Sequence, residues 1–195
     1  MIKELLKFNR SYRRFYENEQ ISKETLIELV DLACLSPSPK NLQALKFILS
    51  NEIDLNNIIF PALAWAGYLS DWKGPELGER PSAYIVILGD KTISKDFDKD
   101  YMHTASGIVT QSILLGAAEK GIGGCIIAAI QRKKLQENLN LDEDFEIMLV
   151  LALGKPKEII VIDDVDGSGN IKYWRDENQI HHVPKRKTVD IILHL

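Results

Sequence analysis

Asn9-Arg10-Ser11-Tyr12-Arg13-Arg14-Phe15 gathers guanidinium groups and a serine hydroxyl into one short stretch near the start of an acidic chain. Formal net charge is -4 at pH 7, so this knot of positive charge is a local feature. Arginine forks suit phosphate and carboxylate, and a neighbouring hydroxyl adds an uncharged donor. The cluster lies between two stretches of helical periodicity, where a bend could make its donors converge. A solvated surface pair of arginines is the competing account, and these residues alone do not choose between them.

On the N-terminal side, Ile2, Leu5, Leu6 and Phe8 predict one short helix. On the C-terminal side, Ser22 is placed to cap a helix running to about Leu35, with Leu26, Leu29, Val30, Ala33 and Cys34 as its core stripe. Ser36-Pro37-Ser38-Pro39-Lys40-Asn41 then breaks that helix, because each proline disfavours helix in the residue before it. Leu45–Leu49 and Ala83–Leu88 read as strands, the second buried on both faces. Residues 51–81 read as part helix and part aromatic-bearing loop.

A long helix is expected from about Tyr101 to Lys120, with Ile108, Gln111, Ser112, Leu115 and Ala118 on one face. Ala105, Val109 and Ala117 give it a small-residue surface suited to close helix packing, and Gly121 ends it. Gly121-Ile122-Gly123-Gly124 reads as a glycine-rich turn. A short helix from about Arg132 to Leu139 leads to a buried strand over Glu146–Leu153, and Asp166–Asn170 turns between short strands. Lys185-Arg186-Lys187 forms a second basic cluster. These elements predict an α+β fold in one domain spanning residues 1–195.

Composition excludes several classes. With 45% hydrophobic and 27% charged residues the chain is neither disordered nor fibrous. An acidic balance argues against nucleic-acid binding, which needs a basic field across a face. Cys34 and Cys125 both sit in apolar surroundings and read as small buried hydrophobes, which suits a reducing compartment. The N-terminus is too short and too charged for a signal peptide, and no apolar run is long enough to span a membrane, so the expected location is cytoplasmic.

The residues carry no obvious catalytic set. His103, His181, His182 and His194 form no HExxH and pair with no CxxC, so no metal site is expected. His181 and His182 would point to opposite faces of a strand and read as partly exposed. Neither a GxSxG elbow nor a GxxxxGK[ST] loop occurs, and the Gly121–Gly124 run follows a helix rather than a strand and lacks the third glycine of a dinucleotide fingerprint. Cation forks without an acid, base or nucleophile suggest that a bound cofactor does the chemistry. By residues alone, the reading stops at a protein that binds a phosphorylated small molecule.

Five motifs in order make the chain resemble the FMN-dependent nitroreductase family. Asn9–Phe15 resembles the family's R-R-S-x-R-x-F opening, and Ser36–Gln43 its A-P-S-x-x-N-x-Q loop. Gly121–Ala129 resembles G-L-G-x-C-x-I-G, Leu153-Gly154-Lys155-Pro156 the following L-G-x-P, and His182–Arg186 the C-terminal basic motif. The resemblance implies a nitroreductase-like α+β fold, a mostly antiparallel central sheet flanked by helices, and an intertwined homodimer with FMN at the interface. By position it implies that Arg10 and Ser11, joined by Lys185 and Arg186, hold the phosphate and ribityl end. Arg13 would lie by the flavin pyrimidine edge, favouring the reduced, anionic flavin. Pro37, Ser38 and Asn41 of the second chain would meet the ring system, and backbone around Ile127 and Ala128 would approach its N5/O4 edge.

The implied activity is electron transfer from NADH or NADPH through FMN to nitroaromatics, quinones or similar flat acceptors by ping-pong kinetics, with no catalytic side chain assigned. Asn9 replaces the motif's first arginine, Pro39 a small hydroxyl residue, and Ala128 a glutamate found in some members. The Trp65–Arg80 stretch matches no family motif and reads either as a substrate lid or as aromatics packed at the domain edge. Other flavin reactions (dehalogenation, enone reduction), a flavin-binding or storage protein without nucleotide turnover, and a flavin-free anion-binding module remain alternatives.

Overall fold

A computed structural model describes residues 1–93 and 99–193. Its centre is a long strand, β5 (Phe145–Pro156), whose apolar run pairs antiparallel on one side with β3 (Ala83–Asp90). On the other side β5 pairs with β4 (Gly123–Ile127) and, at its C-terminal end, with β1 (Phe15–Tyr16). Strand β2 (Leu45–Ser50) continues the sheet beyond β3, and every pairing in it is antiparallel. A smaller sheet follows in sequence, with β6 (Ile160–Asp164) parallel and β7 (Trp174–Arg175) antiparallel to β8 (His181–Lys185). The expected α+β architecture with an antiparallel sheet between helices is what forms.

The two-residue period of β3 splits the core into two layers. Ala83, Ile85 and Ile87 pack with Leu26 and Leu29 of α2 (Lys23–Cys34) and with Val109 and Ile113 of α4 (Lys99–Glu119). Tyr84, Val86 and Leu88 face the other way, with Ile59 of α3 (Ile53–Ile59) and Leu135 of α5 (Arg132–Asn138). Burial on both faces explains why β3 reads as a continuous apolar run instead of an alternating one. Between Ile87 and Leu88 the register shifts, so that Leu149 and then Ile147 stand opposite and Met148 is the extra residue of a bulge. Arg132 meets that bulge, its Nε donating to the Ile147 carbonyl at 2.9 Å and its Nη2 to that of Met148 at 3.1 Å.

Helix α1 (Ile2–Phe8) precedes the basic cluster, and Ser22 caps α2 by accepting from the Thr25 N–H at 3.1 Å. Two readings need correction. Cys34 ends α2 on its exposed side, because the stripe that meets α4 passes through Leu26, Leu29 and Ala33. In α4 the core face runs through Met102, Ala105, Val109, Ile113 and Ala117, so the small-residue surface expected to pack closely does so. On the Ile108 face Gln111 is exposed, and Ile108, Ser112 and Leu115 are only half-buried. That helix carries apolar residues most of the way round, so its period gives poor orientation. Finally, Gly123 and Gly124 open a strand and not a turn; the turn ends at Gly121, whose φ of +69° stops α4 as expected.

Those glycines and Gly154 let the N-terminal motif lie flat on the sheet. A Cβ on Gly123 would stand 2.6 Å from the Tyr12 ring, and one on Gly154 would stand 2.8 Å from the ring of Phe15, which is fully buried. No helix among the described residues is long and apolar enough to cross a membrane. Replacing Gly154→Ala forces Phe15 out of place, and overpacking of this kind costs roughly 1–3 kcal/mol. A urea titration should show a lower midpoint at unchanged slope; an unchanged midpoint would refute this close approach.

Candidate functional site

After α1 the chain runs extended along the open edge of β4. Ser11 forms a parallel bridge with Gly124, and the Tyr12 N–H donates to the Gly124 carbonyl at 3.0 Å. This track sets Arg10, Ser11 and Arg13 along one wall of a cavity of about 320 Å³, and β8 brings Lys185 to the same cavity. The two basic clusters, at opposite ends of the chain, therefore converge. Among the described residues no carboxylate lines the cavity, so its three cations are not neutralised from its walls. Arg10 Nη2 donates to the Leu6 carbonyl at 2.7 Å, while its buried Nε has no acceptor among the described residues.

A second cavity, about 210 Å³, shares Arg13 and Ile126 with the first. Ile127, Ala128 and Ala129 form one wall and Trp65, Ala66 and Gly67 another. The walls are tied where the Ala64 N–H donates to the Ala129 carbonyl at 2.9 Å. Neither Ala128 nor Ala129 uses its own N–H in a hydrogen bond among the described residues. Trp65 is buried against Phe60, and Trp72 lies under the Arg175 guanidinium, 4.3 Å from its ring centre. These two aromatics are packed at the domain edge, while exposed Tyr68 sits 4.9 Å from the Tyr173 ring.

Not every expected residue joins this site. Pro37 and Ser38 line a separate cavity of about 160 Å³ with Cys34, Gln43 and Phe47. Asn41 follows on the same loop, where Lys40, Asn41 and Gln43 all take positive φ near +50° and Ser38 Oγ accepts from the Gln43 N–H at 3.0 Å. Arg186 is exposed and lines neither cation cavity. Cys125 is buried as expected, and burial pushes its thiol up to about 11, which leaves it inert.

Two residues with no role in the sequence reading stand at the centre. His181 is fully buried, contrary to the expectation of partial exposure, and its Nε2 lies 3.1 Å from Arg13 Nη1. The Arg13 guanidinium also covers the Tyr173 ring at 4.7 Å. Glu158, its side chain wholly buried, accepts from the Arg13 N–H and from Arg175 Nη2 at 3.0 Å. Burial, with Arg13, Arg175 and His182 nearby, lowers the His181 pKa to about 4. His182 points to the other face, as strand alternation requires, with Nδ1 2.8 Å from Asp163 and its ring stacked on Trp174. Alternation and nearby Lys185 were the available signals; burial of the first histidine was not legible. Among the described residues no cluster of His, Cys, Asp and Glu could hold a metal ion, and His194 lies outside them.

Comparison with known proteins is consistent across methods. The Nitroreductase family matches residues 6–155. A protein of Archaeoglobus fulgidus provisionally named NADH dehydrogenase/NAD(P)H nitroreductase is 29% identical over 155 residues, covering 77% of this chain and 83% of its own. A nitroreductase family protein from Clostridium novyi NT superposes with a TM-score of 0.66 at 28% identity, covering 80% of this chain and 87% of that one. An FMN-dependent nitroreductase from Clostridium difficile R20291 gives 0.61 at 25% identity, covering 81% and 88%. Tyr173, His181 and Lys185 lie beyond the family match.

Arg14, the last arginine of the opening motif, turns away from both cavities. Its Nη2 donates to Glu79 Oε1 at 2.7 Å, and Lys157 Nζ lies 2.9 Å from the same oxygen. Hydrogen bonding to Arg14, then to Lys157, holds the Glu79 carboxyl down to about 2. Stability from this group is present above its ordinary pKa and is lost as pH falls from about 4.5 towards 2. Glu79→Gln should therefore be less stable at pH 7, by no more than about 3 kcal/mol, with the difference from wild type narrowing towards pH 2. Chemical denaturation at several pH values measures it, and a difference independent of pH would exclude this linkage.

Proposed function

Because the chain belongs to the Nitroreductase family, we propose that it is an FMN-dependent oxidoreductase that takes electrons from NADH or NADPH and gives them to a flat conjugated acceptor. The observation that carries this reading is the pair of adjoining cavities: one ringed by Arg10, Arg13 and Lys185 with no carboxylate among the described residues, the other walled by Ile127, Ala128 and Trp65. A phosphate suits the first, because guanidinium and ammonium donors meet it with charge-assisted bonds. A flat, largely apolar ring system suits the second, where the N–H groups of Ala128 and Ala129, without an acceptor among the described residues, remain for its polar edge.

The residues present fit FMN. Arg10, through its unpartnered Nε, with Ser11 and Lys185 would hold the phosphate end. Arg13, at the junction of the cavities, would face the ring edge where negative charge develops on reduction. When bound, FMN would supply two-electron chemistry, so that a pyridine nucleotide and an acceptor such as a nitroaromatic or quinone react in turn at one face, with ping-pong kinetics. The protein contributes position, exclusion of water and fixed positive charge; no side chain is assigned as acid or base. Pro37, Ser38 and Asn41 would act from a second copy in a homodimer, since within one chain Pro37 and Ser38 line a different cavity and Asn41 follows on the same loop. Ala128 leaves that wall without a carboxylate, so the nucleotide would be oriented without one.

Anaerobic titration of FMN-loaded protein with NADH and then NADPH tests the activity. Rapid stoichiometric bleaching of flavin absorbance is expected with at least one donor; tight FMN binding without bleaching would favour a flavin-binding protein. The residue assignment has its own test in fluorescence titration of the flavin-free protein. Arg10→Ala and Lys185→Ala should each weaken FMN binding roughly 10- to 100-fold, the loss of one charge-assisted contact of about 1.5–3 kcal/mol. Arg186→Ala should leave affinity nearly unchanged, and the opposite pattern would move the phosphate away from Lys185.

A further inference from the structure

His181 is brought to the cavity by a part of the chain beyond the family match, and it touches the one cation that both cavities share. Arginine has only donors, so the 3.1 Å contact requires Nε2 to be the bare, accepting nitrogen of a neutral ring. The proton is then on Nδ1, which is buried and has no partner among the described residues. A charged imidazolium could not accept from Arg13 and would face Arg13 and Arg175 without water around it. Nη1 of Arg13 is committed to His181 and to the Ser11 carbonyl at 3.1 Å, the guanidinium lies over Tyr173, and the backbone N–H is held by Glu158. Among the described residues, Nε and Nη2 have no hydrogen-bond partner and remain to meet a ligand.

We propose that His181 is a positioning residue, a neutral acceptor that fixes the Arg13 guanidinium against Tyr173 so that its remaining N–H groups face the flavin pyrimidine edge. The proposal rests on the flavin reading given above. Without the acceptor, Arg13 is free to turn into the large cavity, towards Arg10 and Lys185, and its charge leaves the ring edge. The reduced flavin then loses more than the oxidised one, because only the reduced form carries the extra negative charge that Arg13 meets. Among the described residues, the groups that face the imidazole are Arg13 from the N-terminal track, Arg175 from β7 and Tyr173 before it, with Glu158 beyond Arg13 and His182 adjacent in sequence on the opposite face of the strand.

His181→Leu removes the acceptor at similar volume, and His181→Gln returns one near the position of Nε2. FMN affinity of the flavin-free proteins and the two-electron midpoint potential of the loaded ones are the readouts. In His181→Leu, binding of reduced FMN should weaken about tenfold more than binding of oxidised FMN, a potential about 30 mV more negative. His181→Gln should restore most of that shift. A merely structural loss would weaken both redox forms alike and leave the potential where it was, which overturns the proposal. If the leucine variant does not fold, nitrogen-15 NMR of the wild-type imidazole decides: a neutral ring bare at Nε2 at pH 6 supports the proposal, and a charged ring or a proton on Nε2 overturns it. Failure of the wild type itself to bind FMN would instead sink the flavin reading, whatever the NMR result.

Discussion

The close approach of Ser11–Phe15 to strands β4 and β5 is the constraint on which the site depends. Tyr12 and Phe15 rest directly on Gly123 and Gly154, and a single added methyl at either glycine would collide with a ring. Backbone bonding to Gly124 then fixes the phase of the segment. The consequence is spatial: Arg10 and Arg13 face the cavity, Tyr12 and Phe15 enter the core, and Arg14 is turned to Glu79. The cations of the cavity are thus placed by apolar packing and strand pairing, and not by their own mutual arrangement.

Like charges crowded round one cavity repel, so something must hold them there. Glu158 supplies part of that restraint from behind, binding the Arg13 backbone and pairing with Arg175 in a wholly buried position. Its charge is offset without entering the cavity lining, which keeps the cavity's positive field available to an anion. The small C-terminal sheet carries the rest: β7 follows Tyr173 and contains Arg175, and β8 carries His181 and Lys185. A segment outside the family match therefore completes a site whose floor is inside it.

Much of the fold was legible because its signals are local. Ser22 announces α2, the unbroken apolar run of Ala83–Leu88 announces a strand covered on both faces, and Gly121 stops α4. Two failures have the same physical origin. The glycines at the start of β4 look like a turn because their function is to admit Tyr12 and Leu114 from elsewhere in the chain. Cys34 went astray similarly, since it stands one residue past Ala33 and off the Leu26, Leu29 and Ala33 stripe that meets α4 from elsewhere in the chain.

For the site, sequence alone determined the chemistry: an anion-seeking set of cations in an acidic protein, no nucleophile or metal motif, and a family likeness carried by motifs in order. Tertiary structure decided which cations share a cavity. It joined Lys185 to Arg10 and Arg13, left Arg186 outside, turned Arg14 to a structural ion pair, and buried His181 against Arg13. Residue type fixes what a side chain can bond, and that is written in the chain; burial and convergence depend on segments more than a hundred residues apart, such as Arg13 and His181, which only packing brings together.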